Sequence, residues 1–166
     1  MKEYYEDLWG RLPADLDPPD FEHRRAFLLG ELRPGDRVLD LGCGTGEFAA
    51  AAATAGAGRV TGADVAETAL TRARSRHPGI AFEPVAFDGP LPFDDNAFDL
   101  VWAGEVIEHV ADTARWLSEV RRVLAPRGRL LVTTPSHGRV PLLVHGVEPF
   151  SPPLGDHLHL YTARSL

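Results

Sequence analysis

Val38-Leu39-Asp40-Leu41-Gly42-Cys43-Gly44-Thr45-Gly46 is a short apolar run that breaks on three alternating glycines. Pro34-Gly35-Asp36 ahead of it is a turn, so Arg37 to Leu41 reads as a buried strand and Glu47 to Ala55 as an Ala-rich helix. A strand that enters a glycine turn and then a helix is a nucleotide-cofactor device. Glycine permits the tight turn and the close backbone approach, and the helix N-terminus turns its N–H groups to the ligand. Dinucleotide sites space their glycines as G-x-G-x-x-G to seat a pyrophosphate, whereas Gly42, Gly44 and Gly46 stand one residue closer. Asp40, two positions before the first glycine, would repel a pyrophosphate but attract an ammonium through charge-assisted hydrogen bonds.

Outward from this turn, strands alternate with helices, the pattern of crossover units in a parallel sheet. Arg59 to Asp64 is a second strand, Ala66 to Arg76 a helix stopped by Pro78-Gly79, and Ile80 to Phe87 a third strand closed by Asp88-Gly89-Pro90. Phe98 to Ala103 is a fourth strand, followed by a turn from Gly104 to Val110. Asp112 caps a helix to Leu124, and Pro126-Arg127-Gly128 turns into a fifth strand, Arg129 to Thr134. Asp64 is placed to accept from ribose hydroxyls and Asp88 from an exocyclic amine. Three acids after three strands describe a ligand with an ammonium, a ribose and an adenine, and no phosphate.

These stretches resemble the class I S-adenosylmethionine-dependent methyltransferases. Val38 to Gly46 is similar to their motif I, Thr61-Gly62-Ala63-Asp64 to their second motif, and Leu91 to Val101 to the segment entering their fourth strand. Val123 to Leu130 is similar to their turn into the fifth. The resemblance covers roughly residues 36–135. It implies an α/β, Rossmann-like doubly wound parallel sheet in the order 3-2-1-4-5. It implies S-adenosyl-L-methionine as cofactor and S-adenosyl-L-homocysteine as product. Asp40 with Gly42, Cys43, Gly44 and Gly46 would cradle the methionine part, and Asp64 with Val65 the ribose. Asp88 with Gly89 would hold the adenine, and the backbone at Ala103 and Gly104 would line the sulfonium side. Such enzymes add an antiparallel pair after the fifth strand, and this chain ends before strands six and seven.

Residues 1–35 are expected to form a helical cap segment, with helical spacing from Phe21 to Leu32, and residues 136–166 a loop or lid with an incomplete C-terminal part. Tyr4, Tyr5 and Trp9 either pack or close over the cofactor. His23 and Arg24 lie within reach of the cofactor carboxylate. Arg72, Arg74 and Arg76 read as a solvated helix face.

The 166 residues suit one domain, with a net charge of −7 and one cysteine, Cys43. That cysteine count excludes an internal disulfide and fits a reducing compartment, so a cytoplasmic location is expected. The acidic balance weighs against nucleic acid or an anionic membrane as partner, and no apolar run is long enough to insert in a bilayer.

Glu105-Val106-Ile107-Glu108-His109 follows the fourth strand, at the carboxyl edge where ligands bind in open α/β sheets. In a helical turn Glu105, Glu108 and His109 would share a face and could hold a divalent metal, with Asp156-His157-Leu158-His159 as a source of a further ligand. The run resembles the ubiquinone-pathway O-methyltransferases and the small-RNA 3′-terminal 2′-O-methyltransferases. On the latter pattern His157, before Tyr161-Thr162, would be the distal ligand of Mn²⁺, Fe²⁺, Zn²⁺ or Mg²⁺ beside Glu105, Glu108 and His109. The alternative is that Glu108 and His109 merely pack the turn.

Three functions are therefore expected in turn. The first is methyl transfer to a small-molecule acceptor, most simply a hydroxyl, with His109 as general base and Glu105 beside it. The second is metal-dependent methylation of an RNA end. The third is a truncated cofactor-binding domain without turnover.

Overall fold

The computed structural model describes residues 2–13, 16–136, 157–159 and 161–162. Helix α1 (Lys2–Arg11) and helix α2 (Phe21–Glu31) precede strand β1 (Arg37–Leu41), helix α3 (Glu47–Thr54), strand β2 (Arg59–Asp64) and helix α4 (Glu67–Arg76). Strand β3 (Ala81–Pro84), strand β4 (Phe98–Gly104), a 3₁₀ turn (Ile107–His109), helix α5 (Thr113–Val123) and strand β5 (Leu124–Thr133) follow. All pairings are parallel and the sheet order is β3-β2-β1-β4-β5, the order expected from the motifs.

Alternation along β1 divides the core. Val38 packs with Leu28 of α2, Phe48, Ala49 and Ala52 of α3, and Leu70 and Ala73 of α4 on one face. Leu39 and Leu41 pack with Val120 and Val123 of α5 on the other. The sheet is thus covered on both sides, as a parallel sheet with crossover helices requires. The small Ala49 and Ala52 faces let α3 lie directly on β1, which brings its N-terminus and the glycine turn to the carboxyl edge.

Two local expectations are corrected. The third strand ends at Pro84, not Phe87, because its one neighbour β2 ends at Asp64, opposite Pro84; Asp88 therefore sits in a loop beyond the sheet. Pro126-Arg127-Gly128 is not a turn ahead of the fifth strand but a bulge inside it. Leu124 already pairs with Phe98, the ladder resumes at Arg129 with Leu100, and Arg127 takes a φ of 68°. Arg74 and Arg76 are exposed and Arg72 half-buried, and from this face they also reach Phe82 O, Glu47 and Leu12 O respectively.

The N-terminal 35 residues carry two helices, α1 and α2. The loop or lid expected over 137–156, with Asp156, lies outside the described residues, as does any strand there. Among the described residues no helix is long and apolar enough to cross a membrane.

Candidate active site

The glycine turn is pinned to β2. Gly42 N and Cys43 N both donate to Ala63 O (2.7 and 3.0 Å), and Gly44 N donates to Asp64 Oδ2 (2.9 Å). Gly42 has a φ of +78°, and a Cβ there would collide with Val106 Cγ2. Gly44 has a φ of +52°, and its Cβ would meet the Trp9 ring at 2.9 Å. Alanine at 42 therefore combines left-handed strain with a clash against a stiff β-branched neighbour. Gly42→Ala is expected to lower stability by about 2–4 kcal/mol, read by urea unfolding.

Asp40 and Asp64 lie on either side of the turn, both buried. Asp40 Oδ2 is buried and has no hydrogen-bond partner among the described residues. Burial pushes its carboxyl up to about 7, partly offset by the Ala49 N–H and by Arg24, and aggravated by Asp64. A buried carboxylate oxygen without a donor fits a ligand that brings its own cation. Asp64 accepts from Gly44 N and, through Oδ1, from Ala66 N at 2.9 Å. Burial raises its pKa in spite of those bonds. Cys43 is buried and burial pushes its thiol up, so the sulfur stays protonated.

A cavity of about 460 Å³ opens from this edge. Gly42, Asp64, Val65, Asp88 and Gly89 line it on the side expected for ribose and adenine, and Glu105, Val106 and His109 line it beyond β4. Asp88 is exposed on its loop. Ala103 is fully buried and Gly104 half-buried at the end of β4. The Arg24 guanidinium lies against Gly104. It stacks over Phe48 at 4.8 Å and bonds Thr133 Oγ1 through Nε (3.1 Å). Burial lowers its pKa, opposed by Glu105, Asp40 and Glu108.

The E-x-x-E-H run is not one helical turn. Glu105 takes a φ of 59°, its N–H donates to Thr133 O (2.8 Å), and only Ile107–His109 is helical. The left-handed residue turns the chain between the two glutamates, so they do not share a helical face. Glu108 is buried; Thr134 Oγ1 donates to its Oε2 (3.0 Å), while Oε1 has no hydrogen bond among the described residues and stands 3.9 Å from His109 Nε2. Burial pushes its carboxyl up to about 7, and the nearby Glu105 adds to the rise. The N–H groups of Leu158 and His159 donate to Glu108 O, which docks the distal segment on the turn. One ligand atom each of Glu108, His109 and His157 lies within 4.8 Å of the others, and Glu105 is outside this group. His159 Nε2 instead pairs with Val110 O at 2.9 Å.

The family model for a methyltransferase domain matches residues 39–132, 94 of the 166 residues. The chain belongs to the methyltransferase-domain family. Its sheet order is that of the Rossmann-like S-adenosylmethionine-dependent methyltransferases. Over 104 residues it is 41% identical to the 27-O-demethylrifamycin SV methyltransferase of Amycolatopsis mediterranei, covering 60% of this chain and 38% of that one. Over 118 residues it is 39% identical to the demethylmenaquinone methyltransferase of Symbiobacterium thermophilum, covering 66% and 46%. The chain thus spans less than half the length of either relative. The crystal structure of an S-adenosylmethionine-dependent methyltransferase from Mesorhizobium loti superposes with a TM-score of 0.64 at 34% identity, over 75% of this chain and 56% of that one.

Within this methyltransferase fold, Tyr5 and Trp9, two of the aromatics singled out in the N-terminal segment, line the cavity. Leu8 of α1, Leu12 just past it and Trp116 of α5, which were not singled out, line it too. The 5, 8, 9, 12 stripe along α1 and just past it was the available signal, at i, i+3, i+4 and i+7.

Proposed function

We propose that this chain binds S-adenosylmethionine at the carboxyl edge of the sheet and transfers its methyl group to a hydroxyl of a small-molecule acceptor. The observation that carries this reading is the Asp40 oxygen, buried without a donor among the described residues, beside a turn whose three glycines leave no room for a Cβ. Asp40 and the turn would hold the amino-acid part, Asp64 and Val65 the ribose, and Asp88 and Gly89 the adenine, with Ala103 and Gly104 along the sulfonium side. Bound there, the cofactor supplies an activated methyl that leaves a neutral thioether behind when it is transferred. The chain's own work is to position the acceptor oxygen, exclude water and accept the acceptor's proton. His109 is the candidate base: it lines the cavity and is half-buried, with Glu105 on the same wall. A small-molecule acceptor is in keeping with the names of the two relatives, a 27-O-demethylrifamycin SV methyltransferase and a demethylmenaquinone methyltransferase.

Methyl-labelled S-adenosylmethionine offered with a panel of phenolic acceptors tests the reading. His109→Ala is expected to cut label transfer by about 10²–10⁴-fold while S-adenosylhomocysteine binding stays within a few-fold. Equal transfer by the variant removes His109 from the chemistry.

A second reading has its own observation. One ligand atom each of Glu108, His109 and His157 lies within 4.8 Å of the others, and Glu108 Oε1 has no hydrogen bond among the described residues. Mixed oxygen and nitrogen donors suit Mn²⁺, Fe²⁺ or Zn²⁺ better than Mg²⁺. Such an ion would lower the pKa of an acceptor hydroxyl. Calorimetry with Mn²⁺ and Zn²⁺ on the wild-type and Glu108→Gln proteins decides it: no heat in the wild type ends this reading. The RNA-end acceptor draws no support from these relatives, and the net charge of −7 weighs against a polyanion.

A further inference from the structure

Helix α4 begins after Ala66, which has no side chain to cap it. Its first donors are nevertheless occupied. Ala66 N is taken by Asp64 Oδ1, at 2.9 Å. Glu67 N and Thr68 N are taken by the two carboxylate oxygens of Glu6, at 2.7 and 3.0 Å, and Thr68 Oγ1 also donates to Glu6 Oε2, at 2.7 Å. The cap therefore comes from α1, about sixty residues upstream. These bonds hold the Glu6 carboxyl below its ordinary range. At the other end, Arg72 Nη1 of α4 donates to Leu12 O just past α1, at 3.1 Å.

What this tether holds is the roof of the cavity. Tyr5, Leu8 and Trp9 of α1, with Leu12 just past its end, project onto it from one side. Trp9 lies over Gly44, while Tyr5 stacks with Phe87 at 6.1 Å and meets His109 edge-on at 5.9 Å. Yet α1 buries none of its residues fully and has ten residues, too few for a helix to persist without tertiary contacts. Its docking thus depends on the polar tether as well as on the stripe. Glu6 and Asp64 also meet at one helix N-terminus, whose partial positive charge attracts both carboxylates. The roof and the ribose acid thereby share the same turn.

We propose that Glu6 is a positioning residue: by capping α4 it holds α1 closed over the bound cofactor and delays the cofactor's release. This rests on the reading that the cavity takes S-adenosylmethionine. Release of S-adenosylhomocysteine is measured by stopped flow, and hydrogen exchange of residues 2–11 is followed with and without it. Wild-type α1 amides gain protection when S-adenosylhomocysteine binds. Glu6→Ala loses that protection and releases the ligand about fivefold to tenfold faster, the change a lost helix cap corresponds to. Glu6→Gln, which keeps one acceptor, recovers part of the effect, whereas a general loss of α4 stability would not sort the two variants by their α1 protection. Arg72→Ala, which leaves the α4 cap intact and loosens only the far end of α1, also speeds release. Unchanged release in Glu6→Ala and Arg72→Ala, or α1 amides indifferent to the ligand in the wild type, overturns the proposal. Failure of the wild-type protein to bind S-adenosylhomocysteine overturns the cavity reading along with it; binding with unaltered release overturns the tether alone.

Discussion

Replacing Asp64 by alanine is expected to weaken S-adenosylhomocysteine binding by at least about 10- to 150-fold and to lower the stability of the fold by about 2–4 kcal/mol, because one carboxylate ties the glycine turn and, on the proposed reading, holds the ribose. Its oxygens accept from the N–H groups of Gly44 and Ala66, each at 2.9 Å, where Asp64 is 7% exposed. Removing them leaves two buried donors without their carboxylate acceptor, at about 1–3 kcal/mol each before relaxation or entry of water from the cavity. The glycine turn loses its tie to β2 at the same moment. For the ligand, the loss of a charged acceptor for the ribose is worth about 1.5–3 kcal/mol, and the loosened turn adds to it. Urea unfolding gives the first quantity and calorimetry the second. Binding within threefold of wild type would remove Asp64 from the ribose role, whatever happens to stability.

Asp40→Asn is expected to do the reverse to the free protein while also weakening cofactor binding. The folded carboxyl sits near 7 against an ordinary 3.8, so the folded state holds a proton that the unfolded chain has given up. Stability therefore falls as pH rises from about 4 to about 7 and stays low above it, a penalty of the order of 4 kcal/mol when fully developed. Asparagine has no such titration, so the variant loses this part of the pH dependence. Glu108, raised in the same direction, keeps its own share in both proteins. A cationic ammonium beside Asp40 reverses the penalty, since it favours the ionised form. Wild-type affinity for S-adenosylhomocysteine is thus expected to increase from pH 5.5 to 8 with proton release. The variant is expected to bind about 30-fold more weakly at pH 8, roughly 2 kcal/mol, with a flatter profile. Calorimetry in buffers of different ionisation heat reads the proton directly. A wild-type profile without proton release would place the ammonium elsewhere.

What the sequence alone determined is local or periodic. The strand from Arg37 to Leu41 lies between a Pro-Gly turn and a glycine turn, and the strand from Arg59 to Asp64 follows Gly56 and Gly58, so both bounds agree with the structure. The Asp112 cap bonds Arg115 N at 2.9 Å, a contact within four residues. The sheet order was expected only from the resemblance to the class I methyltransferases that those motifs carry. Tertiary structure decided the rest, because each remaining feature depends on a partner far along the sequence. The third strand stops where β2 stops offering bonds. Pro126 to Gly128 bulges within a strand because β4 lies beside it. Glu105 turns left-handed with its N–H on Thr133 O, 28 residues away, and so parts the two glutamates. The 157–159 segment reaches the turn through Glu108 O. Helix α1 carries a legible apolar stripe, but where it docks was not legible, because Glu6 reaches backbone and hydroxyl groups about sixty residues away in α4, which no pattern of side chains along the chain records.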